Sequence, residues 1–177
     1  MKITSLILGV LCGLAFAGCS PAPLDETHLK PANGAFGYFL AATNTDDLAC
    51  QIITDTPPFT ELFVDKTSDG RICRIAGVGT VEQGEIYDTK KRLRAVLIEK
   101  YGERPRALGD TAAIADEVHY FGTKNRAVSM AISDYHTNAM MTVEYYDADL
   151  MTIYRAEQRA KDQLDEQKKK AALDHGL

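Results

Sequence analysis

Few side chains in this sequence combine a reactive type with a spacing that chemistry can use. Four histidines are present. His28 falls in a proline-bearing stretch and His175 in a charged C-terminal one, so neither is expected to be held. His119 and His136 fall among alternating apolar residues, and Asp134 stands just before His136. An imidazole and a carboxylate suit general acid–base hydrolysis if they lie within hydrogen-bond reach or one water of each other. A metal site needs three or four such groups converging. No serine sits in G-x-S-x-G or S-x-x-K. Gly77-Val78-Gly79 lacks the third glycine and helix of a dinucleotide site, so a bend or bulge is expected there. Asp147-x-Asp149 fits the capping of a helix start, and Asp46-Asp47 fits a polar turn. The expectation is a protein with no metal, no cofactor and no enzymatic activity. The alternative is a small hydrolase using His119, His136 and Asp134, which requires those three to converge in one pocket.

The strongest electrostatic feature lies between Lys90 and Arg106. Lys90, Lys91, Arg92, Arg94, Lys100, Arg104 and Arg106 outnumber Glu99 and Glu103 there. The whole chain, in contrast, has a formal charge of −5 and a pI of about 5.4, so no nucleic-acid partner is expected. Lys90, Lys91 and Arg94 lie off the apolar face of the predicted helix. They are candidate contacts for an anionic partner, either lipid headgroups or an acidic protein; the alternative is a solvated helix face near acidic neighbours. Tyrosines concentrate in the second half of the chain. Alternation sends Tyr145 inward with Met141 and Val143, and Tyr146 the other way. Tyr146, with Met140, Thr142, Ser129 and Ala131, is then a candidate docking surface on an uncovered sheet face.

The N-terminus carries the most specific motif. Met1-Lys2 is a short, positively charged start, followed by an almost wholly apolar run over Ile3–Phe16. That run is shorter than the roughly 20 residues of a stable membrane span and has the form of a signal-peptide core. Phe16-Ala17-Gly18-Cys19 resembles a bacterial lipobox, with Phe16 where leucine is usual. The resemblance covers the leader only. It implies acylation of Cys19 as the mature N-terminus, with Ser20 in the place that directs passage to the outer membrane. The expected location is the cell envelope, lipid-anchored, at the outer membrane facing the periplasm. Ala15-x-Ala17 offers cleavage by ordinary signal peptidase as an alternative, and an uncleaved anchor helix is a third. With Cys12 lost in the leader and Cys19 taken by lipid, Cys50 and Cys73 remain as a pair in an oxidising compartment, and a Cys50–Cys73 disulfide is expected.

A chain of 177 residues allows one domain. Its composition, 45% hydrophobic and 25% charged, excludes collagen, a long coiled coil, a fully disordered chain and a multi-pass membrane protein. The expected organisation is a signal peptide over 1–18, a lipidated cysteine and proline-bearing linker over 19–33, one α+β domain over 34–158, and a charged helical or disordered tail over 159–177. Within the domain, a short strand is expected over 37–42. Strands over 60–66 and 71–80 flank the turn Ser68-Asp69-Gly70. A helix over 85–101 has Ile86, Leu93, Val96, Leu97 and Tyr101 on one face, with Asp88 as N-cap and Gly102 just past the end. Alternation around Val118–Tyr120, Val128–Ile132 and Met141–Tyr145 predicts three more strands, and Asp147 opens a second helix. The fold expected is an antiparallel sheet with two helices packed on one face, in two β-β-(β)-α units. The function expected is that of a membrane-tethered binding module of inhibitor, immunity or adaptor type, with a protein partner in the envelope. A structural envelope protein touching anionic lipid or polymer through the Lys90–Arg106 segment is the other non-enzymatic alternative.

Overall fold

A computed structural model describes residues 27–45, 50–106, 110 and 115–174. The leader with Cys12 and Cys19, Ser20, Asp46-Asp47 and His175 lie outside the described residues. The elements are β1 (Gly34–Ala35), β2 (Tyr38–Phe39), β3 (Gln51–Ile52), β4 (Phe59–Lys66), β5 (Ile72–Glu82), α1 (Ile86–Tyr101), β6 (Glu103–Arg104), β7 (Glu117–Gly122), β8 (Arg126–Tyr135), β9 (Asn138–Asp147) and α2 (Ala148–Asp174). β1 and β2 make a small hairpin. The other strands form one antiparallel sheet in the order β3-β4-β5-β9-β8-β7-β6. The fold is α+β. Its chain order divides into β3-β4-β5-α1 and β7-β8-β9-α2, and the halves meet where β5 pairs with β9.

The two helices lie on opposite faces of the sheet, not on one. Successive strand residues point to opposite sides, and β9 shows the division at Tyr145 and Tyr146. Val143 and Met141, two and four residues before Tyr145, pack with Val128, Met130, Ile132, Phe121 and Leu97 of α1, and Tyr145 lies against this cluster. Tyr146 packs with Ala127, Cys73, Leu150 and Met151 at the start of α2. Both faces of β9 carry apolar bulk, so each needs its own cover. On the first face, the part over β4 and β5 is filled by Leu40 and Phe36 against Leu62, Val64, Ile72 and Ile75.

The domain begins earlier than Gly34. Leu29 and Ala32 are buried, and the N–H groups of Lys30 and Ala32 donate to the carbonyls of Tyr101 and Arg126, each at 3.0 Å. Thus the end of the expected linker is part of the core. The α1 N-cap is Glu85, without a side-chain capping bond, and Asp88 sits in the first turn, where its charge favours the helix dipole. Gly102 ends α1 with φ 75°, its N–H donating to Ile98, a conformation that glycine adopts without a Cβ penalty. Asp147 caps α2 through its carboxylate, which accepts from Leu150 N–H at 3.1 Å. α2 runs on as one helix to Asp174, exposed from Gln158 onward in its described side chains. Among the described residues no helix is long and apolar enough to cross a membrane.

Gly77 and Gly79 do not form a phosphate loop, and an irregularity of the expected kind does fall at Gly79, where the β4–β5 register shifts between the pairs Phe59–Gly79 and Glu61–Val78. Their pairing with β9 is regular, and other groups press on the strand. A Cβ at Gly79 would lie 2.0 Å from the Pro58 carbonyl oxygen, and one at Gly77 would lie 2.7 Å from the Phe36 ring. A second irregularity falls at Cys73, between the pairs Asp65–Arg74 and Lys66–Ile72. This bulge turns Cys73 to the α2 side, where its thiol donates to the Asp65 carbonyl at 3.3 Å.

The expected Cys50–Cys73 disulfide is not formed; both are free thiols, Cys50 exposed and Cys73 buried. Cys50 precedes β3, and β4 separates that strand from β5. By register the two cysteines are two strand spacings and about three residues apart, roughly 14 Å. A disulfide tolerates a Cα separation of only about 7 Å. Burial pushes the Cys73 thiol up to about 12, which leaves it without thiolate near neutral pH.

Two outcomes follow from this packing. Gly79→Ala should destabilise the domain by about 1–3 kcal/mol, the usual cost of overpacking, whereas Gly84→Ala, whose Cβ meets nothing within 4 Å, should be near neutral. Urea midpoints compare them, and equal midpoints would contradict the close approach at Pro58. Peptide mapping after alkylation of the folded protein should find Cys50 modified and Cys73 modified only after denaturation.

Candidate functional site

The basic segment becomes α1 and β6, and the fold sorts its charges into two sets. α1 lies across the sheet with Leu97 buried and with Ile86, Leu93 and Tyr101 against the core. Val96 leaves the expected stripe and is 45% exposed, as Tyr87 and Ile98 are exposed on other sides of the helix. The flank towards β7 is a ladder of charge. Lys90 Nζ donates to Glu117 at 2.8 Å, and Arg94 grips Glu103 with Nε at 3.0 Å and a terminal nitrogen at 2.5 Å. The His119 ring stands between the two carboxylates, Nδ1 3.0 Å from Glu103 and Nε2 2.6 Å from Glu117. Only the imidazolium form donates to both. The nitrogens point away from one another, so Glu103, His119 and Glu117 do not share one coordination point. Among the described residues no group of three or more His, Cys, Asp or Glu side chains could hold a metal.

Arg104 is drawn into the other face. It pairs with Asp110 at 2.5 and 2.8 Å and donates to the Gly122 carbonyl at 3.0 Å, with both side chains almost fully buried. Its guanidinium lies over the Tyr120 ring, 5.7 Å from the centroid. Tyr146 donates its hydroxyl to Asp110 at 2.8 Å. Tyr146 is therefore a core residue, 1% exposed, and not part of a docking surface. The alternation that turns it away from Tyr145 is as expected, but Ser129 and Ala131 on the face it joins are also buried, and of the expected surface Met140 remains exposed. Lys90 and Arg94 are likewise already neutralised within the fold. Lys91, Arg92, Lys100 and Arg106 remain exposed.

The three residues of a hydrolytic site do not converge. His119 pairs with Met130 across β7 and β8, whereas Asp134 lies four residues further along β8, opposite Ala139. That places them about 14 Å apart, beyond hydrogen-bond reach even through one water. Asp134 instead offers its backbone N–H to the Asp116 carboxylate at 2.7 Å. His136 sits in the exposed β8–β9 turn with φ 27°.

The other flank of α1 forms a groove of about 670 Å³ with the far end of β5. Its walls are Leu93, Val96 and Arg92 from α1, Val81 from β5, and Pro57-Pro58 from the loop before β4, with Glu82 and Glu85 at one end. Sequence patterning marks Pro57-Pro58 only as a stop between elements. Nothing in the sequence shows that this stop becomes a wall, because the wall depends on Gly79 admitting the Pro58 backbone. The groove presents Arg92 and Val96, while Lys91 and Tyr87 are exposed further round α1. An open groove with apolar walls suits contact with an extended chain segment.

The bonds from Arg94, and then from His119, hold the Glu103 carboxyl below its ordinary range, while Lys90, and then His119, do the same for Glu117. A carboxylate lowered in the folded state stabilises fully above its unfolded pKa and loses that contribution as pH falls through its folded pKa. Stability should therefore fall from about pH 5 downward, and it should fall less steeply in Glu103→Gln/Glu117→Gln. Urea unfolding across that range checks this, and parallel slopes would rule the ladder out as the source. Compared with known proteins, the chain matches no family model and has no significant match among curated proteins or solved structures.

Proposed function

We propose that this chain is the precursor of a bacterial envelope lipoprotein, held at the membrane through an acylated Cys19, whose domain works by binding another envelope macromolecule. The observation that carries this reading is the leader: an apolar run too short to span, ending in Phe16-Ala17-Gly18-Cys19. Ser20 after the cysteine favours the outer membrane, periplasmic side. The geometry favours a protein partner met by the outer side of α1 and the groove beside it, where Arg92 remains exposed next to Val96 and Lys91 is exposed on the adjoining side. An inhibitor, immunity or adaptor role fits such a surface. Hydrolysis by His119, His136 and Asp134 is not supported, because the three are held apart.

Metabolic labelling with a palmitate analogue, followed by membrane fractionation, tests the anchor. The full-length protein should carry the label and sediment with membranes, and Cys19→Ala should lose both properties. An unlabelled wild-type protein would remove the lipoprotein reading. For the binding role, crosslinking in intact cells should enrich one partner whose recovery falls with Lys91→Glu/Arg92→Glu. Recovery unchanged by that double substitution would remove α1 as the contact.

A further inference from the structure

The outer half of α2 carries an amphipathic face that no described residue covers. Leu150, Met151 and Tyr154 dock the first turns, and the Glu157 carboxylate accepts from the backbone and hydroxyl of Ser68 at 2.8 and 2.5 Å. Beyond that point the helix continues into solvent for about 25 Å at 1.5 Å per residue. At about 100° per residue, Ile153, Ala160, Leu164 and Ala171 fall on one line, with Ile153 42% and Leu164 51% exposed. Lys161 and Lys168 border this line on one side, and Gln163 and Gln167 on the other, with Arg159 and Lys170 further round. Asp162 and Glu166 lie opposite, together with Lys169 and the exposed Leu173. Among the described residues the ion pair on this half, Lys168–Asp165 at 3.6 Å, is solvent-exposed and so contributes little. A narrow apolar line with a lysine border on one side and a glutamine border on the other matches a helix lying in the plane of an anionic headgroup surface, its lysine stems along the apolar boundary and its charges in the headgroups.

The position of α2 favours a lipid surface over a second macromolecule. The described chain enters beside the end of α1 and the start of β8, through Lys30 to Tyr101 and Ala32 to Arg126. α2 starts at that same end: Ala148 N–H donates to Asn125 at 2.8 Å, and Arg126 pairs with Asp147. Lys30, Lys100 and Lys124 are exposed there. The segment from Cys19 to Thr27 spans at most about 30 Å even when extended, so an anchored Cys19 keeps this end, and α2 with it, near the membrane.

We infer that the outer half of α2 lies on an anionic phospholipid surface through the Ile153–Ala160–Leu164–Ala171 line and its lysine border, as a second membrane contact beside the lipidated Cys19. The choice of membrane rests on the lipoprotein reading; the chemistry of the helix face does not.

The test uses the full-length protein in a Cys50→Ser background, with a polarity-sensitive dye attached at Gln167→Cys on the lipid-facing side or at Asp162→Cys on the opposite side. The background chain without a helix cysteine serves as blank. Flotation with phosphatidylcholine vesicles reports the anchor. On vesicles containing phosphatidylglycerol, the dye at 167 should move to an apolar environment while the dye at 162 stays in water. Ionic strength of about 1 M, where charge interactions are screened beyond roughly 3 Å, should reverse the shift. Lys161→Gln/Lys168→Gln should weaken the helix–surface equilibrium about thirtyfold. A protein that floats while the dye at 167 stays in water overturns the helix contact and leaves the anchor standing. A dye response on anionic vesicles without flotation on neutral ones overturns the anchor and supports the helix contact. A response without vesicles that grows with protein concentration overturns the lipid assignment in favour of a second copy.

Discussion

The pairing of β5 with β9 is the constraint on which the rest of the structure depends. It runs without a break from Arg74–Tyr146 to Glu82–Asn138 and joins the two halves of the chain into one sheet. A strand at the centre of such a sheet has two faces to cover and little room on either. β5 meets this with Ala76, Gly77 and Gly79, and bulk from elsewhere fills the space they leave, Phe36 and the Pro58 backbone on the first face. β9 supplies the complementary bulk, with Met141, Val143 and Tyr145 towards α1 and Tyr146 towards α2. The opposite placement of the helices follows from this division.

The second face is held as much by charge as by apolar burial. Arg74 bridges Asp65 at 2.6 Å and Glu144 at 2.7 Å, and Arg104 with Asp110 and Tyr146 forms a second cluster. Removing ions from water is costly unless each is paired and hydrogen-bonded, and here the guanidinium groups, with several donors in a fixed fork, satisfy more than one acceptor each. These clusters hold β4, β5 and β9 together on one side, and β6 and β9 with the residue at 110 on the other.

Elements whose signal is local were legible in the sequence. The hairpin at Ser68-Asp69-Gly70, the apolar stripe of α1, its end at Gly102, and the alternation in β8 and β9 each depend on a few adjacent residues. What was not legible depends on partners far along the chain. Lys90 and Arg94 look like a free basic patch until Glu117 and Glu103 are brought beside them. Tyr146 looks like a surface aromatic until α2 and Asp110 close over it. Leu29 and Ala32 sit in a polar, proline-bearing stretch whose burial comes only from contact with the end of α1 and the start of β8. The two cysteines form an even pair by count, but counting carries no distance, and β4 stands between them.

Where recognition can occur then follows from what the fold has already used. Sheet edges are the common site for adding a foreign strand, and proteins blunt them by keeping edge strands short. Here both edges, β3 and β6, are two residues long, and Pro105 follows β6 directly, so it cannot extend that strand's ladder. On the sheet faces, the charged groups of the described residues largely bond one another. The helices differ. Lys91 and Arg92 on α1, and Arg159, Lys161 and Lys170 on α2, keep their charges in water at little cost, beside apolar groups that are themselves exposed. Binding there requires no internal ion pair to break, whereas binding at Arg104 or Glu144 would leave a buried charge without its partner. The energetic asymmetry makes the outer sides of the two helices the places where a contact would cost the fold least.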